Sequence, residues 1–425
     1  MESLPVVVLA WVIAAAWCCI IAIVLLASRN HKKTLHPLPS GAVPDDLPRL
    51  SIIVPARNEE GCIEACICSL LRQDYPHLEV IAVNDRSSDR TAAILNRLEA
   101  EYPDRFRALH VETLPEGWFG KPHALNFAMS SATGNLLLFT DSDCEFLAPT
   151  ALRTAVAEFQ RRKLDFYTIG ARYTMPTLRD CVTVPACSEI VLQWLRPERV
   201  EDPNWPDTFA NGAFIMVNRV PFERLGGWRC VGTKVSEDFE LAREFKRNGY
   251  RTGLNQAIGF YQTRSYETGR ECWNGWSRIF AGALTTRQLT TTVLRMLVMT
   301  MLPLFGVLWG TVQAIATRDP GVFLHGAVPG FLCAYAIRTG IDFFVYWQLG
   351  SPVSTAILAP VGRLFGMAVS IRAILSRSGL AKTHWRGATF SANRMIVTPQ
   401  PSAIMDVQTR EIRAESVVSQ RVTAS

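Results

Sequence analysis

The chain has 425 residues, of which 48% are hydrophobic and 19% charged, and its mean hydropathy of +0.12 leans toward a membrane protein with a soluble part. The formal net charge is +6, and the basic residues gather beside the apolar segments and in the tail, where anionic lipid headgroups would lie. There is no basic stripe with interleaved aromatics, which speaks against nucleic acid as a partner.

Residues 5–27 are uninterrupted apolar sequence without a charge, long enough to span the roughly 30 Å hydrocarbon core as a helix. Arg29, His31, Lys32 and Lys33 follow at once, whereas a signal peptide carries its positive charges in front, so 1–34 reads as an uncleaved anchor. The positive-inside rule then puts the following domain in the cytoplasm, at the inner (plasma) membrane of the cell. Residues 35–49, with four prolines, read as a linker.

From Leu50 short apolar runs alternate with longer amphipathic ones, the signature of a sheet wrapped by helices. Strands are predicted over 51–54 and 79–83, with helices over 61–73 and 88–101, the second capped by Ser87 or Ser88. A third strand at 107–111 and a helix at 121–131 lead into Leu136-Leu137-Leu138-Phe139, four apolar residues in a row that suit a strand covered on both faces. Four βα units in succession predict an α/β fold with a doubly wound, mostly parallel sheet. A helix near 149–161 follows, then less regular sequence with strands near 166–173 and 213–217, and a helix over 237–248. Cys62, Cys66 and Cys68 are the only cluster among eleven cysteines; they fit no zinc spacing, and Cys62 and Cys66 share a helix face, so they read as buried small hydrophobes in a reducing compartment.

The helix predicted over 270–288 carries Trp273, Trp276, Ile279, Phe280, Ala283 and Leu284 at helical spacing, which suits either the membrane interface or a core-facing position. Stretches 293–316, 322–349 and 353–375 are each long enough to span. Arg338 and Asp342, four apart in the second, can pair inside a bundle, while Arg363 and Arg372 weaken the third as a simple span. A cytoplasmic domain followed by three crossings would leave the basic tail outside, against the positive-inside rule, so one stretch is expected to be re-entrant or interfacial. The organisation read from this pattern is a domain over 50–268, an amphipathic helix over 269–290, apolar helices over 291–376 and a basic, partly disordered tail over 377–425.

The chemistry centres on Thr140-Asp141-Ser142-Asp143, where the central apolar run ends in two carboxylates. Ligands of open α/β sheets sit outside the carboxyl ends of the strands, so Asp141 and Asp143 can aim at one hard divalent cation that keeps positions for substrate phosphate oxygens. Taken alone, D-x-D is also what a solvated acidic turn or helix cap looks like. Asp85 ends a strand and can accept from an imide N–H, which would select uracil, or it can cap the helix after Ser87. Lys121 opens a helix, where the dipole disfavours a cation, so it faces an anion or is simply exposed; His123 reads as a local hydrogen-bonding residue. Glu237 and Asp238 follow Ser236 at a helix start, a place that capping and the dipole also favour for acids.

Several motifs in order resemble the family 2 glycosyltransferases, whose soluble domain has the GT-A fold. They are Ile53-Val54-Pro55-Ala56-Arg57-Asn58-Glu59, Val83-Asn84-Asp85-Arg86-Ser87-Ser88-Asp89, Gly117-Trp118-Phe119-Gly120-Lys121-Pro122-His123-Ala124-Leu125-Asn126, the D-x-D run, Asn211-Gly212-Ala213-Phe214, Leu225-Gly226-Gly227-Trp228 and Ser236-Glu237-Asp238. The resemblance implies that Pro55, Arg57, Glu59 and Asp85 hold the nucleoside of a nucleotide-diphosphate sugar, with Lys121 nearby. It implies that Asp141 and Asp143 serve ribose and a Mg2+ or Mn2+ ion, and that Asp238 is the general base of an inverting transfer. Gly212, Glu237, Trp273 and Trp276 fall on the acceptor side of this scheme. The Q-x-x-R-W of processive synthases is replaced by Arg270-Glu271-Cys272-Trp273-Asn274-Gly275-Trp276-Ser277-Arg278, which puts polymer synthesis in doubt. The membrane helices and the late Trp385-Arg386-Gly387 look more like bacterial enzymes that glycosylate a lipid, similar to hopanoid-associated and carotenoid-type transferases. A processive synthase, or a catalytically silent scaffold for envelope assembly, are the other readings.

Overall fold

In the computed structural model, which describes residues 4–29, 34–39, 41, 46–170, 172–194, 197–234, 236–381, 383–385, 388–391 and 394–396, the first apolar segment is one helix, α1 (Leu4–Arg29). The positive residues His31, Lys32 and Lys33 lie outside the described residues. The predicted linker is not loose where it is described. Its first residues form β1 (Thr34–Leu35), which adds to the main sheet, and Leu38 is tied by its N–H to Thr154 and by its carbonyl to the Thr150 hydroxyl.

The βα units follow as β2 (Leu50–Ala56), α2 (Ile63–Leu71), β3 (Leu78–Asp85), α3 (Thr91–Glu101), β4 (Phe106–Val111), α4 (Gly120–Ala128) and β5 (Leu136–Phe139). Alternation explains their burial on both faces: Ile52, Val54, Leu136 and Leu138 enter one core, and Ile53, Leu137 and Phe139 enter the other. Pro55 sits in β2 without disrupting the sheet, because β5 pairs with β2 only as far as Ile53. The helix over 88–101 starts later than its hydroxyl signals suggested. Ser87 and Ser88 are spent on Asn58, and the Asp89 carboxylate accepts from the Thr91 N–H in their stead.

Beyond β5 come β6 (Cys144–Phe146), α5 (Ala151–Arg161), β7 (Phe166–Gly170), β8 (Arg172–Tyr173), α6 (Leu178–Leu192), α7 (Pro197–Glu201), β9 (Ile215–Asn218), α8 (Arg219–Arg224), α9 (Glu237–Arg247), β10 (Thr252–Ala257) and β11 (Tyr261–Thr263). The main sheet runs β1-β10-β7-β9-β5-β2-β3-β4, and all pairings are parallel except those of β9, which lies antiparallel to β5 and β7. The strand expected over 166–173 is split, because β8 leaves β7 to join β11 and β6 in a small second sheet. Helix α6 is absent from the sequence reading. Pro185 and several β-branched residues weaken its local signal, and it is held by a Thr177–Asp180 capping box and by burial against the later helices.

The segment expected as one helix over 270–288 is two, α10 (Gly269–Ala283) and α11 (Thr286–Met296), divided at Leu284 and restarted by a Thr285–Gln288 capping box. Trp276 is 3% exposed, packed on Phe280 and on Tyr173 of β8, and Trp273 meets Phe365 at 5.8 Å. Of the two positions open to this helix, Trp276 occupies the core-facing one. α11 continues through a π turn into α12 (Leu302–Thr317); then come α13 (Val328–Leu349), α14 (Ala359–Arg377) and β12 (Thr383–Trp385), the first strand of a small hairpin sheet. Four helical stretches, Leu4–Ala22, Thr286–Thr317, Val328–Leu349 and Val353–Arg377, are long and apolar enough to cross a membrane. Arg386, Gly387 and the tail after Ile396 lie outside the described residues.

Arg338 and Asp342 do pair, at 2.7 Å, within a larger buried network: Arg338 also holds Glu189 of α6 at 2.7 Å, and Arg363 of α14 holds Asp342 at 2.6 Å. Arg363, which counted against its segment as a span, is thus neutralised by a carboxylate on the preceding helix. Removing one member strands its partners, so Asp342→Ala is expected to cost about 3–5 kcal/mol and to lower the melting temperature in detergent. The Asp342→Leu, Arg363→Leu pair, which removes charge in balance, should lose clearly less; equal melting of the single variant and wild type would show that the network contributes nothing.

Candidate active site

The loops at the carboxyl edge of the sheet are stitched to one another. After β2, Asn58 adopts φ 55° and its side chain accepts from the Ser88 N–H at 2.8 Å, while the Glu59 N–H donates to Thr91 and the Glu60 N–H to Asp89. Arg57 and Glu59 thus sit on a turn fixed against the loop after β3, and Pro55 lies buried at its root. At the end of β3, Asp85 is 4% exposed and both its oxygens take hydrogen bonds from Arg86, at 2.7 and 3.1 Å. It does not cap the following turn. That task falls to Asn84, which accepts from the Ser87 N–H. A side chain on Gly120, the first residue of α4, would collide with the Asp85 carboxylate, so only glycine lets α4 start this close to it.

Lys121, the next residue, carries the charge that organises the site. Its Nζ is 2.5 Å from Asp141 Oδ1 at the end of β5 and 3.5 Å from Glu237 Oε1 at the start of α9. Burial alone would lower its pKa, but Asp141, Glu237 and Asp238 outweigh burial and hold the ammonium protonated, well above its ordinary range. Gly212 marks the meeting point. A Cβ there would lie 3.0 Å from Lys121 Nζ, 3.3 Å from Asp238 Oδ2 and 3.7 Å from Asp141 Oδ2, so the three groups surround one small volume.

Gly212 reaches this volume because β9 runs backwards. Its pairing of Ile215 with Phe139 lays residues 211–214 beside 140–143, and the Thr140 hydroxyl donates to the Ala213 carbonyl at 2.7 Å. Asn211 is structural: its amide donates to the Ile169 carbonyl and to the Tyr261 hydroxyl. Under the site, Trp228 packs edge-on to Phe139 with centroids 4.9 Å apart, and the preceding Gly226 and Gly227 both have positive φ, which accounts for the Gly-Gly-Trp motif as a turn.

Asp238 is pushed up to about 6, first by burial and then by the neighbouring Glu237, against the opposing pull of Lys121. Ser236 makes no capping bond with its side chain; it lies instead against Gly282 of α10, where any side chain would collide with its hydroxyl. Asp143 is half-buried beside Asp141, with the Cys144 thiol 3.7 Å from its Oδ1. Cys66 is buried below, its thiol toward the Asp141 carbonyl, while the Cys62 thiol turns to the Glu59 carboxylate at 3.1 Å and so is not a simple hydrophobe.

The fold therefore brings Lys121, Asp141, Gly212, Glu237 and Asp238 together, with Asp143 adjoining, and sets Pro55, Arg57, Glu59 and Asp85 along the neighbouring edge. Trp273 and Trp276 are not in this cluster; they pack between α10, α14 and β8. His123 was read as a hydrogen-bonding residue, yet its buried Nδ1 has no partner among the described residues, and burial lowers its pKa. It packs as an aromatic ring between Trp118 and Phe127. Beside it Trp118, Asn126, Arg229 and Thr233 line a second cleft of about 420 Å³ that the sequence had not marked, since it forms only where the turn after α8 meets α4.

Residues 51–226 match Glycosyl transferase family 2. The 4,4'-diaponeurosporenoate glycosyltransferase of Staphylococcus aureus (strain USA300) is 26% identical over 238 residues, 54% of this chain, and the match spans 60% of that relative's length. Among solved structures, the mannosyltransferase PcManGT from Pyrobaculum calidifontis in complex with GDP-Man and Mn2+ is similar at 20% identity, with 84% of this chain and 99% of that chain covered and a TM-score of 0.47. Staphylococcus aureus TarS 1-349 with UDP-GlcNAc is similar at 15% identity, covering 83% and 98%, with a TM-score of 0.37.

The raised pKa of Asp238 has a stability consequence. Its folded value of about 6 exceeds the ordinary 3.8, so ionisation is disfavoured in the fold and stability falls as pH rises through that window. In metal-free protein Asp238→Asn is expected to raise the melting temperature at pH 7.5, and the gain should shrink as pH is lowered toward 4. A gain that is absent at pH 7.5, or that grows on acidification, would contradict the assigned environment.

Proposed function

We propose that this chain, whose residues 51–226 match Glycosyl transferase family 2, moves one sugar from a UDP-sugar to a lipid acceptor at the cytoplasmic face of the membrane, with inversion at the anomeric carbon. The observation that carries this reading is the convergence of Lys121, Asp141 and Asp238 on the volume beside Gly212, at the carboxyl end of the sheet. Ligands of open α/β sheets bind at that edge.

The nucleoside lies along the turn from Pro55 to Glu59, and Asp85 accepts from the uracil imide while Arg86 holds its carboxylate in place. Asp143 and Asp141 are two hard oxygen donors. A Mg2+ or Mn2+ held by these two carboxylates would take its remaining ligands from the donor's own oxygens. When bound, such an ion offsets charge growing on the departing diphosphate. Lys121 adds a fixed positive charge on the same side, held in position by Asp141 and Glu237.

Asp238 is the proton acceptor. Held near pH 6 rather than near 4, its carboxylate is a stronger base than an exposed aspartate and is still mostly ionised at neutral pH. It takes the acceptor hydroxyl proton as that oxygen attacks the anomeric carbon from the face opposite the diphosphate, and a single displacement inverts the configuration. A lipid acceptor is supported by the four long apolar helices and by the relative named for a carotenoid-type acceptor. The replacement of Q-x-x-R-W over 270–278 supports single transfer over polymer synthesis.

The test is nucleotide release from a panel of nucleotide sugars by detergent-purified protein with Mn2+ or Mg2+ and mixed bacterial lipids. Metal-dependent UDP release is expected, with turnover reduced about 10²–10⁴-fold in Asp238→Ala and abolished in Asp143→Ala. Release of GDP in place of UDP would overturn the uracil assignment at Asp85. If no donor turns over and labelled UDP does not bind, the transferase reading falls. The pH profile of kcat/KM should drop on the acid side near pH 6 or, with metal bound, somewhat below it, and Asp238→Asn should lack that limb. Gly212→Ala should melt like wild type, because the atoms it meets most closely are the ends of the Lys121 and Asp238 side chains, yet lose at least about tenfold in turnover as these groups are moved apart.

A further inference from the structure

The four long apolar helices do not play equivalent parts. α1, α12 and α13 pack as one set. Ala10 lies against Gly330, and Trp17 lies beneath the Arg338 guanidinium at 5.1 Å, so α1 and α13 run side by side in the same direction. Gly310 packs on Val328 and Gly306 on Phe331, so α12 runs the opposite way. The Trp17 indole N–H ties this set together by donating to the Met299 carbonyl at 2.8 Å. Followed along the chain, α1 leads into the catalytic domain, α12 leads away from it, and α13 returns.

The return is marked by contacts with α6. Arg338 pairs with Glu189, the Tyr346 hydroxyl donates to the Val182 carbonyl at 3.4 Å, and the Ser351 hydroxyl donates to the Cys181 carbonyl at 3.2 Å. α6 is itself fixed to the catalytic part: Arg179 donates to the Tyr266 and Glu267 carbonyls, and Thr183 meets Cys272 of α10. The chain after Ser351 is therefore on the side of the active site.

α14 stays there. Gly362 packs on the Val182 carbonyl and Ala186, Gly366 on Ile190, and Phe365 on Trp273. At its other end Arg377 donates to the Ala281 carbonyl at 2.6 Å and to the Thr286 hydroxyl at 3.3 Å. From first turn to last its main packing partners are α6, α10 and α11, whereas α1 and α12 pack on α13. Beyond it, β12 folds back onto α10. A helix that crossed the bilayer would carry its far end about 30 Å from the catalytic side, where neither α10 nor Thr286 could meet it.

Resting on the membrane reading above, we infer that α14 is an interfacial helix and that its outer stripe, Val361, Leu364, Ile371 and Leu375, docks on the lipid leaflet facing the catalytic domain. These four apolar residues are exposed and fall on one helical face, and they continue the exposed Leu294, Leu297 and Val298 at the start of the α11–α12 span. Apart from Arg363 and Val369 the buried face of α14 consists of small residues, so the helix lies close against α6 and α10 and presses those elements to the membrane surface. Three crossings then remain, the basic tail shares the side of the active site, and the positive-inside rule is satisfied throughout.

The test uses the full chain in a bacterial host, with alkaline phosphatase or green fluorescent protein fused after Ser378 and, as a control, phosphatase inserted after Asp319 between α12 and α13. A fluorescent, phosphatase-inactive fusion at Ser378 together with an active insertion at Asp319 is expected. Phosphatase activity at Ser378 would mean that α14 crosses and would overturn the inference. Extraction of the protein by alkaline carbonate with an inactive Asp319 insertion would remove the membrane reading itself, a separate failure. A fluorescent unnatural amino acid at Val361 or Leu375, quenched by nitroxide lipids, should report the same shallow depth at both positions; a difference of about 20 Å, the rise over that span of helix, would also overturn it.

Discussion

Four carboxylates meet at one edge of this sheet, and a single lysine makes that arrangement tolerable. Asp141 and Asp143 leave β5, Glu237 and Asp238 open α9, and Lys121 stands among them in contact with two and close to a third. Without it, acids from two elements would face one another across a volume lined by Leu125, Phe139 and Trp228, where water cannot screen them well. Much of the local architecture follows from seating that ammonium. Gly120 lets α4 begin against Asp85, Gly212 leaves the space that the lysine and the two aspartates share, and the reversed β9 delivers Gly212 to the end of β5. Asp238 stands higher than an ordinary aspartate because burial and then the neighbouring Glu237 outweigh the opposing pull of Lys121.

A second balance of charge joins the sheet domain to the long apolar helices. The half-buried Glu189 on α6 and the buried Arg338 and Asp342 on α13 and Arg363 on α14 form one chain of ion pairs. Each element alone would carry an unpaired charge into apolar surroundings, so the network constrains the three helices to assemble together or not at all. α6 is the hinge of this assembly. It holds the long apolar helices on one face and α10 on another, and α10 in turn presses Gly282 against Ser236, two residues before Asp238. The position of Asp238 is thereby coupled to the long apolar helices.

Much of this was legible in the residues themselves. An apolar run without alternation marked β5 as a doubly covered strand, β2 and β3 were expected as strands, and both the D-x-D run and the Glu237-Asp238 pair stood where strand and helix ends were expected. Arg338 and Asp342 could be paired from their spacing alone. Other features could not be read locally. α6 contains a proline and β-branched residues and owes its existence to burial. The side-chain bond to the first N–H of α3 comes from Asp89 and not from a serine, because Asn58, thirty residues from Ser88 in sequence, claims the serines. His123 proved to be a packed ring, since its neighbours Trp118 and Phe127 come together only when α4 is seated.

What the sequence by itself determined is the alternation of strands and helices, the apolar segments and the identity of the charged groups, because periodicity and composition are local properties of a chain. Only the tertiary structure decided how those charges are shared. The direction of β9 brings Gly212 to Asp141, the meeting of α4 with α9 gives Lys121 its second carboxylate, and the contacts of α14 with α6 and α10 separate it from the helices that pack around α13. Each of these depends on distances between residues far apart in the chain, which no local pattern specifies.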